Sequence, residues 1–211
     1  MSILKEIKQY LKSRPVSPPK SKLWAKALKQ IGDGIRNGEV PRFREWKIIH
    51  QTMSLNDQKF VPHIEQFEKT VKSFSDLDYI FEFGAGYGRL CRLIHEAGFK
   101  GQYVIFDFPE LICLQKYYLH KNGIKNITFI SDIREVVKPT TSNNCFISMS
   151  ALEESPEEIF DHFLSYASDF KSFLLLFSGG RGKFKKQLMT EGDWEYGETD
   201  RKSVYRAIGE K

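Results

Sequence analysis

Three cysteines in 211 residues, at 91, 113 and 145, are too few and too far apart for a disulfide framework or a thiolate zinc site. Each falls inside an apolar segment, so all three are expected as small buried hydrophobes. No His-x-His pair and no carboxylate cluster carries metal-ligand spacing, which argues for chemistry that needs no metal. Nor does any apolar run approach the roughly 20 residues that cross a bilayer; the longest, "FLLLF" at 173–177, is strand-sized. The first residues, "MSILKEIKQYLKSR", scatter lysines where a secretion signal keeps a compact apolar core, so a cytoplasmic location is expected. Internal repeats and low-complexity segments are lacking too, which leaves solenoids and linker proteins aside.

What is there suffices for a buried core: 41% of the residues are hydrophobic and 14% aromatic, and the length suits one domain plus an appendage. The net charge of +5 is unevenly placed. Residues 1–60 hold 13 Lys+Arg against 5 Asp+Glu, a balance of +8, which leaves −3 for the rest. Such a basic segment suits an anionic substrate, a membrane surface or nucleic acid, and equally a solvated helical face. Apolar residues at three- and four-residue steps predict short helices over 3–11 and about 21–31, divided by the stiff "RPVSPPK". "FREWKIIHQTMS" and "VPHIEQFEKTVKSF" read as two more helical pieces. Residues 1–74 are therefore expected to form a helical, basic extension that lids an acceptor site or supports a homo-oligomer, with 75–211 as the body.

From residue 79 the texture becomes β-rich runs separated by helix-length segments: "YIFEF" (79–83), "QYVIFDF" (102–108), "ITFIS" (127–131), "NCFISMS" (144–150) and "FLLLFS" (173–178). Continuously apolar strands alternating with helices predict an α/β fold, a Rossmann-like, mainly parallel sheet covered on both faces. Ser155, Pro156 and Glu158 read as a capping box with proline opening the helix that carries Ile159, Phe160, Phe163 and Leu164. "WEYGETD" and "SVYRAIGEK" suit a closing antiparallel pair.

Three glycines crowd the junction after the first strand, in "YIFEFGAGYGRLCRL" (79–93). A loop that leaves a strand and opens a helix offers free N–H groups, and glycine lets a ligand approach them. The dinucleotide fingerprint is G-x-G-x-x-G, whereas Gly84, Gly86 and Gly88 read G-x-G-x-G and Arg89 stands where the third dinucleotide glycine belongs. Pyrophosphate is disfavoured. Glu82, at the end of the strand, would repel phosphate but suits an ammonium group. Asp107, 19 residues beyond Gly88, is placed to accept from ribose hydroxyls, and Asp132, after the third strand, to accept from an exocyclic adenine amine. The ordinary alternatives are a tight turn for the glycines, a helix cap for Asp107 and a turn acid for Asp132. A ligand with an amino-acid end, a ribose and an adenine but no phosphate meets all these demands, and S-adenosylmethionine (SAM) is such a ligand.

"FEFGAGYGRL" followed by "YVIFDFPEL" resembles the first two motifs of class I SAM-dependent methyltransferases. More narrowly, "EFGAGYGRLCRLI", "FDFPELICLQKYYL" and "SALEES" resemble a family of sugar O-methyltransferases, over roughly residues 77–156. Where that family is expected to carry Met-Pro after the acid of the fourth-strand turn, this chain has Glu154, Ser155 and Pro156. The resemblance implies SAM as cofactor, transfer to a hydroxyl of a sugar or glycoconjugate, and cofactor contacts from Glu82, Gly84, Ala85, Gly86, Tyr87, Gly88, Asp107, Phe108 and Asp132. Methyl transfer from a sulfonium needs alignment and removal of one proton. Over the C-terminal ends of the strands, Glu153 is the candidate general base and Ser150 an orienting hydroxyl; both are also ordinary turn residues. His50 and His63 are secondary candidates, while His95, His120 and His162 read as packing or surface residues. Trp46 with Arg42 and Arg44 suits a sugar face or core packing. "RGKFKKQ" (181–187) is basic, but no RNA-binding module accompanies it, so no nucleic-acid partner is expected. A nucleotide-dependent oxidoreductase and a non-catalytic SAM-binding scaffold are the competing readings.

Overall fold

The computed structural model describes residues 60–153, 155–178, 193–198 and 204–210. The expected helices before residue 60, Trp46, Arg42, Arg44, His50, Glu154 and the basic stretch 181–187 lie outside the described residues. In chain order the elements are α1 (Val61–Thr70), β1 (Tyr79–Phe83), α2 (Arg89–Glu96), β2 (Gln102–Phe106), α3 (Pro109–Lys121), β3 (Ile127–Ile130), β4 (Asn144–Met149), α4 (Glu157–Ala167), β5 (Ser172–Ser178), β6 (Asp193–Glu198) and β7 (Val204–Glu210). They build one seven-stranded sheet in the order β3-β2-β1-β4-β5-β7-β6. The pairs β3-β2, β2-β1, β1-β4 and β4-β5 are parallel. β7 runs antiparallel to β5 and to β6, so the tail closes the sheet as a pair, with β7 inserted beside β5.

Strand alternation sorts the sheet into two cores. On one face Tyr79, Phe81 and Phe83 of β1 join Val104, Phe146, Phe173 and Leu175 beneath Phe160 and Phe163 of α4. Rings dominate there: Phe81 stacks on Phe146 at 5.7 Å, and Phe163 meets Phe83 edge-on at 4.7 Å. Each such buried ring contributes about 1.5–3 kcal/mol of burial free energy, which is what lets one helix hold that face. On the other face Ile80, Tyr103, Ile105, Cys145, Ile147 and Leu174 pack with Leu90, Cys91 and Ile94 of α2 and with Ile64 and Phe67 of α1. Residues 60–74 thus share a core with the body, and the expected boundary at 74/75 falls within one packed layer. All three cysteines are buried.

Local details differ from the sequence expectations where side chains find other partners. α4 begins at Glu157 with Pro156 as its cap residue and no side-chain cap. Ser155 donates its hydroxyl to the Ala151 carbonyl at 3.1 Å, so it ties off the turn after β4 instead of completing a capping box. β2 ends at Phe106, which puts Asp107 and Phe108 just past the strand, although the Asp107 N–H still bonds the Ile130 carbonyl at 3.1 Å. β4 ends at Met149, because Ser150 turns left-handed with φ +70° and donates its N–H to Leu176 at 2.7 Å. Among the described residues, no helix is long and apolar enough to cross a membrane.

Candidate functional site

Neighbours β2 and β4 leave β1 in opposite directions across the sheet, and ligands of open α/β sheets bind outside the strand ends at such a switch point. The segments that meet there are the loop 84–88 after β1, Asp107 and Phe108 after β2, and the turn 150–153 after β4. Sequence reasoning named residues from all three.

The glycine loop leaves β1 with the Gly84 N–H bonded to the Phe106 carbonyl at 2.9 Å and closes a turn through Gly88 N–H to Ala85 at 2.9 Å. Gly84, Gly86 and Gly88 have φ of +74°, +59° and +93°. Two of the three are needed for the chain itself. A Cβ on Gly84 would lie 2.1 Å from the Ala151 Cβ, and one on Gly88 would meet the Leu119 side chain at 3.1–3.3 Å. The expectation that bare backbone serves a ligand therefore needs this addition: Gly84 admits the β4 turn, and Gly88 admits α3. Ala85 and Tyr87 are buried, and the Tyr87 ring packs edge-on against Tyr118 at 4.9 Å.

Glu82 faces the α2 side of the sheet at 2% exposure and accepts from the Tyr103 hydroxyl at 2.8 Å. Asp107, 7% exposed, accepts from the Phe108 N–H on Oδ1 at 2.8 Å and from the Gln115 amide on Oδ2 at 2.7 Å. Burial raises both carboxyls: Glu82 to about 8, against the Tyr103 hydrogen bond and with the Asp107 charge adding to the rise. Asp107 rises to about 7, partly offset by the N–H of Phe108, the Gln115 amide and the N–H groups of Gly86 and Ala85. Carboxyls whose folded values are raised stabilise the fold below their unfolded values, near 4, and lose that contribution as pH climbs through the folded ones. The ligand-free protein should therefore melt lower at pH 8 than at pH 5, by about 5 °C, with Glu82→Gln flattening the slope. Differential scanning calorimetry across that window checks it, and a melting temperature that climbs instead overturns the burial account.

Phe108 is 43% exposed and, with Val137, one of two exposed large hydrophobic residues among those described. Asp132 caps the short turn 133–135: Oδ1 accepts from the Arg134 N–H at 3.0 Å and from its Nε at 2.9 Å, and Oδ2 from Nη2 at 2.5 Å. Glu153 and Ser150 are half-buried on the turn after β4, where the Ser148 hydroxyl accepts from the Leu152 N–H at 3.1 Å. His95 donates Nδ1–H to the Cys91 carbonyl at 2.7 Å in packing, His120 and His162 are exposed, and His63 is buried on α1.

Sequence reasoning gave no role to Tyr103 or Ala151 and took Gln115 and Leu119 only as part of the family resemblance. Tyr103 left a faint signal, a polar-tipped ring in a buried strand beside one carrying a buried acid. The others touch the loop from 27 or more residues away, and no local pattern announces that.

No family model and no curated protein matches the chain. Solved structures do. A protein from Pyrococcus horikoshii OT3 superposes with a TM-score of 0.59 at 12% identity, covering 73% of this chain and 90% of its own. Mitomycin 7-O-methyltransferase superposes at 0.55 and 12% identity, covering 90% and 69%. Magnesium protoporphyrin IX methyltransferase from Synechocystis PCC 6803, solved with bound SAM, superposes at 0.53 and 14% identity, covering 99% and 97%. At these identities the likeness is one of architecture, and the chain has the Rossmann-like fold of class I methyltransferases.

Proposed function

We propose that the chain is a SAM-dependent O-methyltransferase acting on a hydroxyl of a sugar or glycoconjugate. The observation that carries the proposal is Asp107, a buried carboxylate held at the switch point between the glycine loop and an exposed aromatic ring. A cation bound over the two buried acids would favour their ionised forms, whereas a phosphate there would disfavour them. The residues present therefore fit SAM better than a dinucleotide.

Bound SAM supplies an electrophilic methyl on a sulfonium. Asp107 accepts the ribose hydroxyls, and Phe108 offers its exposed face to the adenine. The loop 84–88, Ala85 and Tyr87 included, shapes the floor, while Glu82, held neutral by burial in the free protein, would ionise beneath a bound cation. Asp132 accepts the adenine amine in exchange for Arg134, whose guanidinium is 85% exposed and so gives up the pair at little cost. On the acceptor side Ser150 would orient the hydroxyl and Glu153 would take the proton it gives up on methylation. The sugar acceptor is supported by the sequence resemblance over residues 77–156, and the hydroxyl chemistry by an O-methyltransferase among the structures of like fold.

Incubation with methyl-labelled SAM and a glycan extract should place alkali-stable label, a methyl ether, in the carbohydrate fraction. Label released by mild alkali, or none, overturns the acceptor class. Glu153→Gln should lower turnover about 100-fold or more with S-adenosylhomocysteine affinity unchanged, since positioned proton transfer contributes on that order. An unaltered rate would remove Glu153 as the base.

A further inference from the structure

Gln115 of α3 is fully buried, and both hydrogens of its amide are committed. Nε2 donates to Asp107 Oδ2 at 2.7 Å and to the Gly86 carbonyl at 2.8 Å. A peptide carbonyl only accepts, and an ionised carboxylate only accepts, so the nitrogen is the end that must face them. The opposite end, Oε1, is buried with no hydrogen-bond partner. Buried polar atoms are nearly always paired, so an orphaned acceptor marks a side chain placed for its donors. A residue that merely filled space here would be served by leucine or methionine without that penalty.

One helical turn further on, Leu119 presses against Gly88. Residues four apart lie on one helix face, so α3 meets the loop twice, by a hydrogen bond at Gly86 and by packing at Gly88. Without the amide, Asp107 keeps the N–H groups of Phe108, Gly86 and Ala85 but loses the Gln115 side-chain donor on Oδ2.

We propose that Gln115 is a positioning residue of the cofactor site, its amide clamping the Asp107 carboxylate to the Gly86 carbonyl so that ribose hydroxyls meet a fixed acceptor. This rests on the SAM reading for the ligand, though the clamp itself is a property of the free protein. A site prearranged in this way does not have to order its acceptor when the ligand arrives.

The test compares wild type with Gln115→Met, which keeps length and bulk but has no donor, and with Gln115→Glu, which as a neutral acid can serve only one partner. In the ligand-free protein, carbon-13 NMR of the Asp107 carboxyl should show its titration midpoint higher in the methionine variant than in the wild type. By calorimetry, S-adenosylhomocysteine should bind Gln115→Met about tenfold more weakly, while its 2′,3′-dideoxyribose analogue should lose under about twofold. Gln115→Glu should fall between, and it carries the comparison if the methionine variant fails to fold. An unmoved midpoint, or an equal loss on both ligands, overturns the clamp. Wild-type protein that binds neither ligand would retire the SAM reading and the ribose role together, and the ligand-free titration would still decide whether Gln115 holds Asp107.

Discussion

Asp107→Ala should abolish detectable binding of S-adenosylhomocysteine, a loss of about 100-fold or more, in protein that remains folded. The proposed role has this carboxylate, at the end of β2, accept two ribose hydroxyls. Hydrogen bonds to a charged acceptor contribute about 1.5–3 kcal/mol each, so losing two reaches that factor. The truncation also strips the partner from the Phe108 N–H and from one hydrogen of the Gln115 amide, loosening the segment that presents Phe108. Removing an acid that burial already pushes to about 7 costs the fold little, so the melting temperature should stay within a few degrees. Asp107→Asn separates shape from chemistry. It keeps an oxygen for the Phe108 N–H but turns an amide nitrogen toward the Gln115 nitrogen, donor against donor, and should bind almost as poorly. Titration calorimetry with S-adenosylhomocysteine, and with NAD(H) as the competing ligand, is the measurement. Wild-type affinity in the alanine variant would mean that the cofactor lies elsewhere, and NAD(H) binding in the wild type would favour an oxidoreductase.

The segments that meet at the switch point were legible in the sequence because they are made of local signals. The loop between a continuously apolar strand and an amphipathic helix needs only neighbours to be recognised, and the acids at 82, 107 and 132 stand at strand ends that the apolar runs locate to within a residue or two. The closing antiparallel pair was legible for the same reason. Contacts made through space were not. That Gly84 abuts Ala151, that Tyr103 meets Glu82 and that Gln115 bridges two loops depend on the strand order, which alternation does not specify. The insertion of β7 between β5 and β6 is of this kind. The capping box at 155–158 failed on register: its serine has the right chemistry, but the helix begins at Glu157 with Pro156 in the cap position, so Ser155 stands one residue too early and its hydroxyl donates to a carbonyl four residues upstream.

The glycine loop gives the second large effect, and it falls on stability. Gly84→Ala places a methyl 2.1 Å from the Ala151 Cβ at a residue whose φ is +74°. Carbon atoms rest at about 3.5–4.0 Å, so the turn after β4 must retreat by more than 1 Å or β1 must bend. The left-handed backbone costs about 1–2 kcal/mol for a residue with a Cβ, and forced overpacking a further 1–3 kcal/mol. Together these predict a fall in melting temperature of about 10 °C for a domain of this size. Gly123→Ala isolates the backbone cost, because Gly123 has φ +76° and nothing within 4 Å of its would-be Cβ. It should lose only the smaller share. Ala151→Gly in the Gly84→Ala background should return the packing share and leave the backbone share, the coupling expected of residues in contact. Since the turn that retreats carries Ser150 and Glu153, acceptor turnover should fall further than S-adenosylhomocysteine affinity in Gly84→Ala. Thermal melts of the three variants decide the matter: if Gly84→Ala and Gly123→Ala are destabilised equally, the loop and the β4 turn are not in the contact described, and the link between the cofactor and acceptor sides of the site falls with it.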